Sequence, residues 1–356
     1  MSPRFILKVG DTIMDWCAWE FEHNGLNEAG VMHIKLPVTA DKWTWWTQQT
    51  EIIVDAYIGY PLDPHNYSAS DLVHMMRARI DTLEFDLGQG LITMSGRDLT
   101  SLLIDVKSDA KYPNQTASQI AQQLAQQVGL KAQVQPTTTL VGNYYSADHV
   151  LLQREETLWT LLTYLAQHEG FQCFVLGRTL YFGNFGAQST LDPYLITVDT
   201  NGNFAQSNAK HLKLSQDLTL AQDLSVTVRS YHGQRGAAFT ATATATKTAK
   251  NIERDAELAQ ALQHYDYTIP GLTQPECALK AQQILSELTR HELKMSAGLP
   301  FDATLFPWVP VQLVGTSTPW DATYTPQNVT RRFSKDRVSM RVEARTGIPQ
   351  QTVTLA

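Results

Sequence analysis

The chain is poor in cysteine, with 3 among 356 residues. Cys17, Cys173 and Cys277 are odd in number and far apart, and they match neither a CxxC pair nor a metal-ligand spacing. A disulfide framework is excluded, and buried thiols of a reducing compartment are expected. Long apolar runs are also missing. No stretch approaches the roughly 18 apolar residues of a membrane span. The start, Met1-Ser2-Pro3-Arg4-Phe5-Ile6-Leu7-Lys8, lacks the apolar centre of a signal peptide. No membrane anchor is expected. Charge is sparse at 18% of residues, with 28 basic against 35 acidic side chains and a formal net charge of −7. A basic surface for gripping nucleic acid is therefore not the main feature, although a passage through which DNA slides is compatible with this balance.

Chemical motifs are scarce too. His168-Glu169 and His291-Glu292 begin like a zinc-protease motif, but neither is followed by a second His one helical turn later. The 10 His form no spaced cluster. There is no Gly-x-Ser-x-Gly elbow, no phosphate loop and no evident glycosidase carboxylate pair. The expectation is a protein with no catalytic residues, no metal and no cofactor.

What is present is a repeat. From Ile52 to Asp98 the chain reads as a strand at Ile53-Val54, a turn at Gly59, a strand at Ile80 to Phe85, a tight turn, and a strand at Leu91 to Arg97. From Val309 to Arg345 it reads as Val311 to Val314, a turn at Gly315, Tyr324 to Phe333, a turn at Asp336, and Val338 to Arg345. Two copies of one β-module per chain would place six modules in a ring of only three chains.

Between the copies the pattern becomes helical. Residues 1–95 are β-rich, and their short strands suggest a small barrel or sandwich. Residues 96–204 read as an α+β domain. Asp98 to Asp105 gives a helical turn. A helix carrying Ala117, Ile120, Ala121, Leu124 and Val128 stops at Gly129, and another carries Leu158, Leu161, Leu162 and Leu165. A hairpin over Gly177-Arg178 follows. Residues 205–345 return to strands, with a helical segment at 252–292 that contains a helix beginning at the capping box Thr273-Gln274-Pro275-Glu276. The Thr-Ala alternation from Thr240 to Thr246 is an extended arm or a mobile loop. Residues 346–356 read as a tail. Trp43-Thr44-Trp45-Trp46 either fills a small core or anchors a neighbouring subunit. Trp43, Trp45 and Trp46 are the candidate interface residues.

Several stretches resemble a known family. Ser95-Gly96-Arg97-Asp98-Leu99-Thr100-Ser101-Leu102-Leu103-Ile104-Asp105 and Tyr112-Pro113-Asn114-Gln115-Thr116-Ala117 are similar to signatures of phage tail baseplate hub proteins, the late-control-D or phage-protein-D group. So are Glu156-Thr157-Leu158-Trp159-Thr160-Leu161-Leu162, Leu218 to Ser230, Ala278 to Glu292, and Trp320-Asp321-Ala322-Thr323-Tyr324. The resemblance covers nearly the whole chain. It implies a mainly-β α+β fold, with two related small β-barrel domains, a helical α+β domain between them, and a helical insertion or connection near the second barrel. It implies a homotrimer of pseudo-sixfold symmetry that joins a tail tube or distal tail protein, and other baseplate proteins, to a central spike. No fused needle is expected, and the spike would then be a separate polypeptide. DNA would pass through without specific binding. The expected location is the virion tail, assembled in the host cytoplasm. The hub of a tailocin or other contractile injection particle would share these features. A tail-associated cell-wall hydrolase would lack its catalytic constellation here, and a free carbohydrate-binding β-protein would have no use for the helical middle.

Overall fold

The computed structural model describes residues 3–14, 18–25, 27–39, 42–108, 110–138, 140–141, 156–185, 192–202, 204–218, 224–232, 237–246, 263–334, 337–346 and 352–355. The first β-region holds β1 (Arg4–Val9), β2 (Thr12–Ile13), β3 (Ala18–Asn24), β4 (Val31–Pro37), the short helix α1 (Trp43–Thr47), β5 (Ile53–Gly59), β6 (Val73–Asp86) and β7 (Leu91–Asp98). The middle region holds α2 (Ser101–Asp105), β8 (Lys107–Ser108), α3 (Ala117–Gln127), β9 (Lys131–Val134), β10 (Glu156–Thr157), α4 (Leu158–Glu169), β11 (Gln172–Leu176) and β12 (Thr179–Gly183). The last region begins with β13 (Tyr194–Asp199), β14 (Gln206–Ser207), β15 (Lys210–Gln216), β16 (Leu224–His232), β17 (Ala237–Thr246) and β18 (Gln263–Thr268). It continues with α5 (Gln274–Thr289), β19 (Leu293–Leu299), β20 (Val311–Val314), β21 (Thr323–Ser334), β22 (Arg337–Thr346) and β23 (Thr352–Leu355).

The strands that read as a repeat form two antiparallel meanders, β5-β6-β7 and β20-β21-β22. Each long middle strand carries a bulge against the third strand, at Asp81 in β6 and at Gln327 in β21. An extra residue at that point bends the strand and raises its twist. The likeness extends beyond the meanders. The first region orders its strands β3-β4-β7-β6-β5-β1, and the last orders its own β15-β19-β22-β21-β20-β13. Numbered by position in each group, both read 2-3-6-5-4-1. One difference stands out: β1 runs antiparallel to β5, whereas β13 runs parallel to β20.

Neither group closes into a barrel among the described residues, which corrects the expectation of two separate barrels. The outer edge of β3, which would have to close on β1, is taken by β21 of the other group. The two groups therefore merge into a single 14-stranded sheet. Each keeps its own core. Phe21, Met32, Ile34, Val54, Ile58, Met76, Ile92 and Met94 fill the first. Ile196, Met295, Val311, Leu313, Tyr324, Val329 and Val342 fill the second. Strand alternation supplies both, since every second side chain faces inward.

The middle region packs α3 and α4 on the sheet β11-β12-β9 around Ile120, Leu124, Leu162, Leu165, Leu180 and Phe182. The α3 N-terminus is fixed by a capping box, with Thr116 N donating to Gln119 Oε1 at 3.0 Å. Gly177, at φ +58, makes the tight turn of the β11–β12 hairpin.

Between β15 and β19 in the chain, β16, β17, β18 and α5 form a separate layer. Here β18-β16-β17-β23 make a 4-stranded sheet covered by α5. The Ala-Thr stretch is neither arm nor loop: it is β17, paired on both edges. Its Ala241, Ala243 and Ala245 are buried against Cys277, Ala281 and Leu285 of the helix. Small side chains leave room for the helix, and the alternating Thr supply β propensity.

Three boundaries move. Gln263–Thr268, read as helical within 252–292, is a strand in parallel register with β16; residues 252–262 lie outside the described set. Tyr194–Asp199, read as part of the middle domain, pairs with β20 and joins the last β-group. The tail contains β23, whose Thr354 lies opposite Thr244.

Candidate functional site

The strongest candidate is the seam where β3 meets β21. Six residue pairs run from Asn24 opposite Asn328 to Trp19 opposite Phe333. On the inner side, Trp19 stacks on Phe333 with centroids 4.4 Å apart, and Phe21 and Phe301 close the cluster. Such aromatic pairs contribute about 0.5–1.5 kcal/mol each beyond simple burial. On the outer side Arg332 grips Glu20 with both arms, Nε to Oε2 at 2.7 Å and a terminal nitrogen to Oε1 at 3.0 Å. Glu22 beside it has its carboxyl pushed up, first by burial and then by Glu343, Glu20 and Glu28.

Arg331 falls on the inner side and is fully buried. It donates to His23 Nδ1 at 3.2 Å and to the carbonyls of Asp302, at 3.2 Å, and Leu305. The faces of Phe21 and Phe306 lie 5.7 and 5.4 Å from its guanidinium. Burial lowers its pKa to about 9, which leaves it charged at neutral pH. His23 Nε2 lies 3.0 Å from the Met75 carbonyl. That oxygen only accepts, so Nε2 carries the proton and Nδ1 receives from Arg331. Burial and then Arg331 push the imidazole down to about 3, so it is neutral. One buried cation thus ties together β3, β21 and the segment at Asp302 to Leu305.

Two of the strand edges left open among the described residues belong to β6 and β15. The distal half of β6, from Thr82 to Asp86, pairs with β7 on one side and with no strand on the other. β15 pairs with β19 and has no partner on its outer edge.

The tryptophan helix divides. Trp46 is 3% exposed and belongs to the first core, so it fills space there. Trp45 is 46% exposed and meets Trp46 edge-on at 4.7 Å, and Trp43 is half-buried. Trp46 shares that first core with the seam residues Trp19, Phe21 and Phe333. Of the cysteines, Cys173 and Cys277 are buried, and the Cys173 thiol is pushed far up by burial alone. Cys17 lies outside the described residues.

The two His-Glu pairs serve packing. His291 Nδ1 accepts from Arg345 at 2.6 Å, and Glu292 is fully buried, accepting from Gln216 at 3.3 Å. His168 meets the Tyr164 ring edge-on at 4.6 Å. Among the described residues, no three His, Cys, Asp or Glu side chains gather as a metal site. A cleft of about 610 Å³ lies between the first β-region and the middle region, lined by Asp55, Tyr57, His74, Arg77, Lys131 and Arg178. Its Asp55 accepts from His74 at 2.8 Å and from Arg77 at 3.1 Å. No helix is long and apolar enough to cross a membrane among the described residues.

The arrangement has the fold of phage tail proteins. A tail protein from Neisseria meningitidis matches with a TM-score of 0.67 and 13% identity, covering 97% of each chain. The 43 kDa tail protein of a Shewanella oneidensis prophage matches with a TM-score of 0.64 and 14% identity, over 96% of this chain and 98% of that one. A prophage tail protein from Listeria monocytogenes matches with a TM-score of 0.57 and 9% identity, over 97% and 95%. No protein-family model matches the chain, and no curated protein matches it in sequence.

Proposed function

We propose that this chain is the hub of a phage tail baseplate or tail tip, three copies forming a ring that joins the tail tube to the central spike. The observation that carries the reading is the strand order 2-3-6-5-4-1, present twice and joined by the β3–β21 ladder. A chain with two like modules, already joined edge to edge, gives six modules from three chains. The fold shared with tail proteins supports the same reading. The work is geometric. It needs large permanent interfaces, of a class that buries thousands of Å², and no nucleophile or cofactor.

On this reading the β-modules are the ring, and the outer face of the sheet lines the bore. That face carries both signs, with Glu20, Glu22 and Glu343 beside Lys35, Arg332 and Arg341. Mixed charge suits a passage that DNA traverses without being held. The middle domain and the inserted layer project from the ring, in three copies each. Trp45, exposed, and Trp43, half-buried, would serve as aromatic anchors for an adjoining tail component.

The test is the mass of the purified protein by light scattering or native mass spectrometry. The expected value is three times the 39.9 kDa of one chain, reached at high concentration or with spike and tube partners added. A stable dimer, or a monomer that persists with those partners present, would overturn the ring.

A further inference from the structure

The seam β3–β21 is made once within the chain, yet the fold offers both of its halves twice. The first group's counterpart of β21 is β6, whose distal half has an open edge; the second group's counterpart of β3 is β15, whose outer edge is open. We propose that β15 of one protomer adds antiparallel to the distal half of β6 in a second copy of this chain, with Ser215 opposite Glu84 and Lys213 opposite Asp86. This deepens the ring reading above and rests on it.

The register follows from rows of paired residues. In the first group, Phe21 pairs with Met32, Met32 with Gly96, and Gly96 with Ile80, one residue before the bulge. In the second, Leu214 pairs with Met295, Met295 with Ala344, and Ala344 with Pro326, again one residue before the bulge. Leu214 is thus the counterpart of Phe21, and Ile80 that of Pro326. Within the chain, Glu22 faces Thr330 and Glu20 faces Arg332. Transposed to the open edges, Ser215 faces Glu84 and Lys213 faces Asp86.

The chemistry at those positions fits this register. The internal seam carries a carboxylate on the β3 side and a cation on the β21 side, Glu20 with Arg332. The open edges carry the same pair with its sign reversed, Lys213 on the β15 side and Asp86 on the β6 side. Asp86 gives the Gln89 amide its Oδ1, at 3.0 Å. On the inner side, Leu214 meets Phe85, both half-buried, and Leu87, 62% exposed, gains an apolar neighbour in Leu212. The outer edges also discourage self-pairing. β15 presents Lys210 and Lys213 to any second β15, and β6 presents Glu84 and Asp86 to any second β6; like charges set opposite each other destabilise a ladder. Only the head-to-tail contact joins unlike edges, and a head-to-tail contact whose rotation closes makes a ring.

The experiment is disulfide trapping on a Cys17→Ser background. Glu84→Cys combined with Ser215→Cys, both at exposed positions, should give covalent dimers and trimers on a non-reducing gel after mild oxidation. Each single variant should stay at the mass of one chain. In a second arm, Lys213→Glu and Asp86→Lys should each raise the concentration needed for half-assembly by about tenfold or more, and the two combined should restore it. A trimeric wild type with no cross-link and no charge-reversal effect would overturn the edge pairing and leave the ring standing. A wild type that stays monomeric and shows no cross-link would overturn both.

Discussion

Arg331 sits where the strand pattern calls for an apolar side chain, between the inward-facing Val329 and Phe333. Alternation alone places it inside, but an Arg in a β-rich sequence reads as surface, and its partners His23 and Leu305 are remote in the chain. The same distance hid the Glu20–Arg332 pair, whose members are 312 residues apart. Arg331→Met should cost about 3–5 kcal/mol in a urea titration, because His23 and two carbonyls lose their donor. His23 makes a pH prediction possible. Its folded pKa of about 3 lies below its unfolded value of about 6.5, so the stability it contributes is present above about pH 6.5 and is lost as pH falls toward 3. Asp98 works the other way. Burial raises its carboxyl to about 6, so its contribution is present below about pH 4 and is lost as pH rises through 6. Between about pH 4 and 6 the two slopes oppose each other, each at roughly 1.4 kcal/mol per pH unit. His23→Gln keeps an acceptor and a donor but cannot titrate. In that variant, stability measured by urea midpoints should fall as pH rises across this window; a flat or rising profile would refute the assignment.

Among the elements, the helices were the most legible. Thr116–Gln119 and Thr273–Glu276 are capping boxes in the sequence and in the fold, the latter with Thr273 N donating to Glu276 Oε2 at 2.7 Å. Thr116→Ala should cost about 1 kcal/mol, read from the thermal or urea midpoint. The strands of both meanders were legible from alternation and turn residues. Their partners outside the meander were not, because a strand's periodicity says which face is buried and nothing about which edge is taken. Hence Tyr194–Asp199 reads in sequence as part of the middle domain although its ladder lies with β20. Gln263–Thr268 was absorbed into a helix because polar and aromatic residues at short spacing give a weak period. Position 96 offers a cleaner test of strand geometry. A Cβ on Gly96 would run into the Arg79 carbonyl and lie 2.8 Å from Ile80 Cα, whereas its counterpart in the second group is Ala344, which the fold accepts. Gly96→Ala should therefore destabilise by about 1–3 kcal/mol in urea unfolding, and Ala344→Gly by less than about 1 kcal/mol.

For the whole molecule, the meander repeat was visible in the sequence, while the fused sheet was not. The fusion depends on β3 and β21, drawn from opposite ends of the chain, and no local pattern encodes a contact of that span. The Trp cluster divided for a related reason. Composition marks Trp43, Trp45 and Trp46 alike, and only the direction of a five-residue helix decides that Trp46 turns inward. Trp45→Ser should cost about 1 kcal/mol of stability, through its edge-on contact with Trp46, while weakening attachment to the adjoining tail component in a pull-down with purified partners. The internal seam has one more consequence, in mass action. A ring of six independent modules would form with a sixth-power dependence on their concentration. In a ring of three of these chains, half of the joints are already made while each chain folds, and the linking polypeptide holds their two sides at an effective concentration in the millimolar range or above. Assembly then depends on the third power, and dilution releases paired modules, never single ones.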